Sequence, residues 1–300
     1  DAGEHTEGFP LRRDILIMGR HEPSTSESES SAAVPSSSTV LRLGVGARVL
    51  LEAGHVQGLL VLRGEPSRDP SPANVPVAAA GADPSGWFLV ELRGREPTLE
   101  WCEVAGGVRV LGGAKPTVRR CVVRDSAGSG VLVSGNARAT LLHNTVRNNR
   151  LQGVGVKGGA SVEMHHNTVG ANLQCGVLLT ETSRGALTHN LVHGNRLNGV
   201  AIQGDAEVSL GHNELGPDNR CGLSICDTAR ARLSGGAVGA NRLHGVRALG
   251  SARLQITDAE LRDNHRCGLW LAGTARVSFD ACALRGSWQH GCAVQEEATL

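Results

Sequence analysis

The sequence predicts an all-β fold, a single-stranded right-handed parallel β-helix with about 23 residues per coil. One observation is a frame of this length that repeats from residue 107 onward without an insertion. Its most regular column is glycine: Gly107, Gly130, Gly153, Gly176, Gly199, Gly222, Gly245, Gly268 and Gly291. Two further observations are apolar columns that alternate with period two and a pair of asparagine columns.

Each repeat is predicted to hold three short strands separated by bends. Apolar residues follow the glycine at the next and third positions, as in Val154 and Val156, which is typical of a strand with one buried face. Two more apolar columns pass through Met164 and Val169. Strands this short are unstable alone, so successive coils must stack. Leucine-rich repeats and β-propellers are excluded, because the motif of the former and the longer blades of the latter are missing.

The asparagine columns predict bends held by side-chain ladders. An amide both donates and accepts hydrogen bonds, so identical Asn residues one coil apart can form a chain of bonds. We expect the Asn residues to adopt the left-handed conformation of a sharp bend, and the glycine column to supply positive φ at a third bend. The structural ladder is expected at Asn144, Asn167, Asn190, Asn213, Asn149, Asn172, Asn195, Asn241 and Asn264. Asp218 takes the place of an asparagine between Asn195 and Asn241.

The chain divides into an irregular region, residues 1–85, and a repeat domain, residues 86–300. Segments 14–20 and 59–64 have the character of single strands, and 88–102 that of one shorter coil. Segments 21–39 and 64–84 are rich in Ser, Pro or Ala and predict loops or insertions between early coils.

Composition excludes several function classes. The net charge of +1 argues against a nucleic-acid partner, and four Trp, three Phe and no Tyr leave few stacking platforms for bases. No run of 18 apolar residues is present, so no membrane segment is predicted. Eight cysteines without a CxxC pair predict free thiols in a reducing compartment, hence a cytoplasmic location.

Two columns are candidate ligand-facing rows. Arg150, Arg196 and Arg242 recur in every second repeat on one edge and could hold an acidic ligand, with solvated turn arginines as the alternative. The second row consists of His143, His166, His189 and His212. Stacked imidazoles could share a metal ion or respond to pH, but repeat duplication of a surface histidine gives the same pattern. We therefore predict no cofactor and no metal.

No catalytic residue is predicted. Polysaccharide hydrolysis needs paired carboxylates, and Asp258, Asp263 and Asp280 do not recur as a facing cluster on neighbouring coils. Turn or surface positions explain them better. The lack of Tyr also removes one acid or base used in elimination chemistry.

The repeats resemble a known superfamily. Units such as residues 130–133 (GVLV) followed by 141–149 (LLHNTVRNN) resemble the parallel β-helix repeats of pectin-lyase-like proteins. The stretch 88–110 (FLVELRGREPTLEWCEVAGGVRV) resembles the β-helix of F-box only proteins and of the SHC SH2-domain-binding protein. In the F-box proteins the β-helix is a substrate-recognition module of a ubiquitin ligase, and the resemblance implies the same role here. Bacterial alginate epimerases share the repeats, but their Asp-Pro-His motif is missing here.

These observations lead to one expectation and one alternative. We expect a non-catalytic scaffold for protein recognition, such as a substrate adaptor of a ubiquitin ligase, and not an enzyme. A protein is the expected partner, with an acidic glycan as the second choice. The alternative is a carbohydrate-active β-helix of the polysaccharide lyase or uronan epimerase type.

Overall fold

The structure is a computed structural model that describes residues 88–94 and 96–300, together with strands at 15–16, 38–43, 49–51, 55–57 and 59–64. Most of the two insertions predicted at 21–39 and 64–84 lies outside the described residues. The strand predicted at 59–64 is confirmed, and only residues 15–16 of the predicted strand 14–20 are described. The division of the chain at residue 86 stays a prediction. The described strands before that residue pair into the same sheets as the later ones.

The described residues form three parallel sheets, here named A, B and C, and no helix. Sheet A contains Ile15–Leu16, Val49–Leu51, Phe88–Leu92, Gly107–Val110, Val131–Val133, Val154–Val156, Val177–Leu179, Val200–Ile202, Leu223–Ile225, Val246–Ala248, Cys267–Leu271 and His290–Val294. Sheet C contains His55–Gln57, Thr98–Glu100, Thr117–Arg119, Arg138–Leu142, Ser161–His165, Arg184–Thr188, Glu207–Gly211, Arg230–Ser234, Arg253–Thr257 and Arg276–Asp280. Sheet B contains Ser38–Leu43, Leu59–Gly64, Glu103–Ala105, Val122–Arg124, Thr145–Arg147, Thr168–Gly170, Leu191–His193, Glu214–Leu215, Ala237–Gly239, Glu260–Arg262 and Ala283–Arg285.

Each coil passes through sheets A, C and B in that order and returns one layer higher. Neighbouring strands pair in parallel with partners one repeat apart, as in Val131 with Val154. Inward side chains such as Val154, Met164 and Val169 fill the core and are fully buried. The predicted β-helix with three strands per coil is therefore confirmed. No helix long and apolar enough to cross a bilayer occurs in the part of the chain that the structure describes.

The first asparagine ladder lies inside the bend between sheets C and B. Asn167 Oδ1 accepts from the backbone N–H of Asn144 at 2.8 Å and from its Nδ2 at 3.0 Å. Asn167 Nδ2 donates in turn to the Leu141 carbonyl at 2.8 Å and to Asn190 Oδ1 at 3.0 Å. The same bonds link Asn190 to Asn213. Each buried amide is thus satisfied by the neighbouring coils.

The second ladder lies at the bend between sheets B and A and differs from the predicted one at a single coil. Asn195 donates from its backbone and its side chain to Asn219 Oδ1, and Asn219 donates to Asn241 Oδ1 at 3.2 Å. Asp218, which the repeat frame places in the ladder, is exposed. Asn219 follows Asn195 by 24 residues and precedes Asn241 by 22. The 23-residue frame is therefore restored at Asn241, although the ladder residue of this coil is shifted by one position.

The left-handed residues are the ones that precede the ladder asparagines, which corrects the expectation for the Asn themselves. His143, His166, His189 and His212 have φ between 51° and 55°, and Asn148 and Asp263 have φ of 57° and 55°. The preceding residue takes the bend because the asparagine must point inward to reach its neighbours. The backbone strain therefore lies on exposed residues.

The glycine column does not supply positive φ, so that prediction is wrong. Gly153, Gly176 and their equivalents are not left-handed, and the glycines that are lie mainly in the turn between sheets A and C, such as Gly158. A Cβ on Gly176 would lie 2.5 Å from Val192 Cγ1, 2.7 Å from Asn195 Nδ2 and 2.7 Å from the Gly199 carbonyl. The column is glycine because the chain passes too close to the second ladder for any side chain.

We expect Asn167→Ala to destabilise the chain by about 1–3 kcal/mol, because both donors of Asn144 and the Leu141 carbonyl lose their partner. Asn136→Ala is the control, since this side chain is exposed on a turn. Urea unfolding of both variants measures the difference. Equal midpoints would contradict the ladder's role.

Gly176→Ala should cost about 1–3 kcal/mol through overpacking against the ladder. Gly113→Ala is the matched control, because its Cβ would meet no atom within 4 Å. We expect that variant to be neutral or slightly stabilised, by up to about 1 kcal/mol. A Gly176→Ala chain as stable as the control would show that the close approach is relieved at no cost.

Candidate functional site

A groove lies on the outer face of sheet C. Residues at the first outward position of each strand face solvent in register, coil after coil. That column reads Arg138, Ser161, Arg184, Glu207, Arg230, Arg253 and Arg276. The members of this column from Arg184 to Arg276 line a groove of about 760 Å³. The next outward column, Ser209, Arg232, Gln255 and Ser278, lines it as well.

The groove is strongly basic although the chain as a whole is almost neutral. Five arginines line it, Arg184, Arg230, Arg232, Arg253 and Arg276. Glu207 is the one carboxylate side chain among the described residues that line it. Its Oε2 lies 3.9 Å from Arg184 Nε, and both side chains are more than half exposed, so this pair contributes little to stability. The arginines remain available to an anion.

The spacing of the arginines is set by the stacking of the coils. Parallel strands lie about 4.8 Å apart, so the column from Arg184 to Arg276 presents one side chain per coil over about 19 Å. The spacing between coils is close to the length of one sugar residue in a linear polysaccharide. Guanidinium groups bind carboxylates in a bidentate manner. The groove can therefore hold an extended polyanion that runs along the helix axis.

The predicted arginine row lies elsewhere, on the turn between sheets B and A. Arg150 and Arg196 are exposed there. Arg242 Nη2 donates to the carbonyls of Asn195 at 2.9 Å and Arg196 at 2.8 Å, so its guanidinium is tied along the edge. These residues do not line the groove. Their role in ligand binding stays a prediction.

The four predicted histidines form a continuous exposed stack. Ring centroids of His143, His166, His189 and His212 are 5.0, 5.0 and 5.3 Å apart, and the planes are within 12° of parallel. Imidazole binds metals through a lone pair in the ring plane at about 2.0–2.1 Å. Rings stacked in this way cannot direct two such lone pairs at one ion between them. The geometry thus opposes a metal shared within the stack.

Arg120 and Trp101 continue that column on the two coils before His143. The Arg120 guanidinium lies 4.9 Å from the ring centre of Trp101, on the coil below. Desolvation, the charge of His166 and the charge of Arg120 lower the pKa of His143. His143 is therefore neutral over a wider pH range than an isolated histidine.

The aspartates considered from sequence do not assemble. Asp258 takes the left-handed position of the histidine column, and Asp263 the equivalent position at the second bend. Asp263 Oδ2 lies 3.7 Å from Arg262 Nη1. Asp258, Asp263 and Asp280 are all exposed and absent from the groove lining.

The cysteines carry no nucleophile that the fold activates. All eight cysteines are present as thiols in the structure. Cys226, Cys282 and Cys292 are only half-buried. Burial raises the pKa of Cys175, Cys221 and Cys267, and burial with the charge of Asp227 raises the pKa of Cys226 to about 11. These thiols stay protonated at neutral pH.

Sequence analysis did not identify a buried histidine on the outer face of sheet A. The His244 ring stacks on Trp270 with centroids 5.1 Å apart, and it is 8% exposed. Its Nδ1 is buried without a hydrogen-bond partner. Burial, together with the charges of Arg266 and Arg247, lowers the pKa of His244 to about 4. This histidine is neutral at pH 7.

Comparisons with known proteins agree with the fold. A family model described as "Right handed beta helix region" matches residues 93–235. Curated protein sequences give no significant match. The resemblance to F-box only proteins and the SHC SH2-domain-binding protein is not shown by these comparisons. The chain is a β-helix repeat protein.

Solved structures similar to the chain are enzymes that act on polysaccharides. The periplasmic alginate epimerase AlgG has a TM-score of 0.65 and 15% identity, over 88% of this chain and 73% of that chain. The A-module of mannuronan C-5 epimerase AlgE4 from Azotobacter vinelandii has a TM-score of 0.52 and 14% identity, over 87% and 85%. The AlgE6 A-module from the same organism has a TM-score of 0.53 and 13% identity, over 87% of each chain. At this identity the similarity establishes the shared fold.

These comparisons overturn the expectation of a non-catalytic scaffold. The similar structures named above are carbohydrate-active enzymes, whereas the expectation was a protein-recognition module such as a ubiquitin-ligase adaptor. The prediction that the chain is not an enzyme is wrong on the same finding. The expectation rested on the absence of known catalytic motifs from the sequence. It took no account of the arginine groove, which only the structure shows.

His244 gives the folded state a defined pH dependence. The unfolded chain takes up a proton at His244 below its ordinary pKa of about 6.5, whereas the folded chain resists protonation down to about 4. Stability from this group is therefore complete above pH 6.5 and is lost as the pH falls toward 4. We expect the free energy of unfolding to fall less between pH 7 and pH 4.5 in His244→Gln than in the wild type, as measured by urea unfolding at both pH values. Identical losses would contradict the burial of a neutral His244.

Proposed function

We propose that the chain is a carbohydrate-active β-helix that binds a linear uronan in the arginine groove and acts on it. The carrying observation is the in-register arginine column on sheet C, with one carboxylate within it. Support for a polysaccharide substrate also comes from the similar structures, which are an alginate epimerase and a mannuronan epimerase. Localisation in the cytoplasm stays a prediction of the sequence.

The polymer would lie along the helix axis with its carboxylates facing the arginines. Arg230, Arg253 and Arg276 stand on three successive coils, and Arg184 stands two coils before Arg230. Each guanidinium can neutralise one uronate carboxylate. Because the groove is open to solvent, its affinity should depend on salt. A neutral glycan gains none of these contacts.

Glu207 is the proposed proton acceptor. It lies between Arg184 and Arg230 in the column, so a uronate residue at its coil has neighbours whose carboxylates are held on both sides. The reaction class is removal of the proton at C5, next to the carboxylate, which becomes acidic when an arginine neutralises that carboxylate. Return of a proton to the opposite face gives the epimer, and loss of the O4 substituent gives an unsaturated product. Arg232 in the next outward column can hold the reacting carboxylate.

Binding tests the groove directly. Titration calorimetry with oligomannuronate, oligoguluronate and oligogalacturonate should give affinity for at least one of them, and none for a neutral cello-oligosaccharide. Arg253→Gln should weaken that binding about tenfold or more. Arg220→Gln, an exposed arginine outside the groove, is the matched control and should leave the affinity unchanged. Equal losses in both variants would contradict the groove as the binding site.

Turnover tests the assignment of Glu207. Incubation with the bound uronan, with and without calcium, is followed by ultraviolet absorbance for unsaturated ends and by NMR for epimer ratio. Glu207→Gln should abolish turnover and retain binding. Glu163→Gln, an exposed glutamate on the same face of sheet C, should behave as wild type. Turnover that survives Glu207→Gln would contradict this role.

A further inference from the structure

Two thiols meet where the first asparagine ladder begins. Cys121 takes the ladder position one coil before Asn144, and its backbone N–H donates to Asn144 Oδ1 at 2.9 Å. Its Sγ donates to the Leu99 carbonyl at 3.4 Å, as the ladder amides do to the equivalent carbonyls. The backbone N–H of Cys102 donates to Cys121 Sγ at 3.4 Å, and the Cys102 thiol donates to the Glu100 carbonyl at 3.2 Å. Both side chains are fully buried.

The backbone register places these cysteines opposite one another on adjacent coils. Glu100 pairs with Arg119 before them, and Glu103 pairs with Val122 after them. Parallel neighbours lie about 4.8 Å apart, which is inside the Cα separation of about 4.4–6.8 Å that a disulfide requires. The regular repeat frame hides this pair, because their coil is shorter and separates them by 19 residues.

The other cysteines are placed differently. Cys175, Cys221 and Cys267 recur in every second repeat, so two coil spacings separate each from the next. Two coil spacings, about 9.6 Å, exceed the reach of a disulfide. Among Cys102, Cys121, Cys175, Cys221 and Cys267, the geometry therefore singles out one pair.

We propose that Cys102 and Cys121 form an intrachain disulfide when the chain folds in the presence of a small-molecule disulfide. One thiolate attacks the oxidant to give a mixed disulfide and one small thiol, and the second cysteine thiolate displaces a second small thiol. Two protein thiols are oxidised and one small disulfide is reduced. The bond ties the coil at 88–106 to the first regular coil of the array.

Burial decides when this bond can form. The contact with Cys102 and desolvation raise the pKa of Cys121, so the thiolate is suppressed once the coils have stacked. The cross-link therefore belongs to the folding chain, before the pair is enclosed. In the absence of oxidant the same pair remains as two thiols, and Cys121 continues the ladder.

The experiment refolds the full reduced chain, diluted from urea, in either glutathione redox buffer or excess reductant. Acid quenching, alkylation and peptide mapping then identify the disulfides. We expect a peptide that links Cys102 to Cys121 as the principal product of the redox buffer, with the loss of two hydrogens. Its urea midpoint should exceed that of the reduced chain. A chain without this link, or with an unchanged midpoint, would overturn the proposal.

Two variants separate the cross-link from general effects of oxidation. Cys121→Ser keeps a donor for the Leu99 carbonyl and should lose the redox dependence of the midpoint. Cys282→Ser should keep it, because Cys282 lies at the far end of the array. A redox-dependent midpoint in Cys121→Ser would overturn the assignment. If that variant fails to fold, the peptide map of the wild type decides.

Discussion

The hydrogen bonds between buried asparagines of successive coils are the interaction on which the rest of this structure depends. They fix the register of each bend, because Asn167 can satisfy its amide only when Asn144 and Asn190 lie directly before and after it. The second ladder adds a steric constraint. It leaves so little space beside Gly176 that no side chain fits there.

The surface follows from this interior. Since the ladders hold coil on coil without slippage, outward residues of sheet C stand in straight columns. Duplication of a coil therefore duplicates a surface charge at one strand spacing, about 4.8 Å. Four of the five groove arginines stand in one column because of this repetition. A binding surface for a repeating polymer needs no other device.

Periodicity made the fold and most of the ladder predictable from the sequence, since a constant repeat length fixes which residues share a column. It failed where the coil deviates from that frame, at Asn219 and at the pair Cys102 and Cys121. The cause of the glycine column was also hidden, because close packing and positive φ select the same residue. The arginine column of the groove could have been predicted, because arginines recur at whole multiples of the repeat length from Arg138. The row that was predicted lies on the turn with Arg150.

The groove is proposed to hold a linear polyanion along the helix axis, and a length series tests this most directly. Titration calorimetry with oligouronates of increasing length should show affinity that rises with each added residue up to about five, the number of coils from Arg184 to Arg276, and then levels off. Affinity independent of length, or shared by neutral oligosaccharides of the same length, would contradict it.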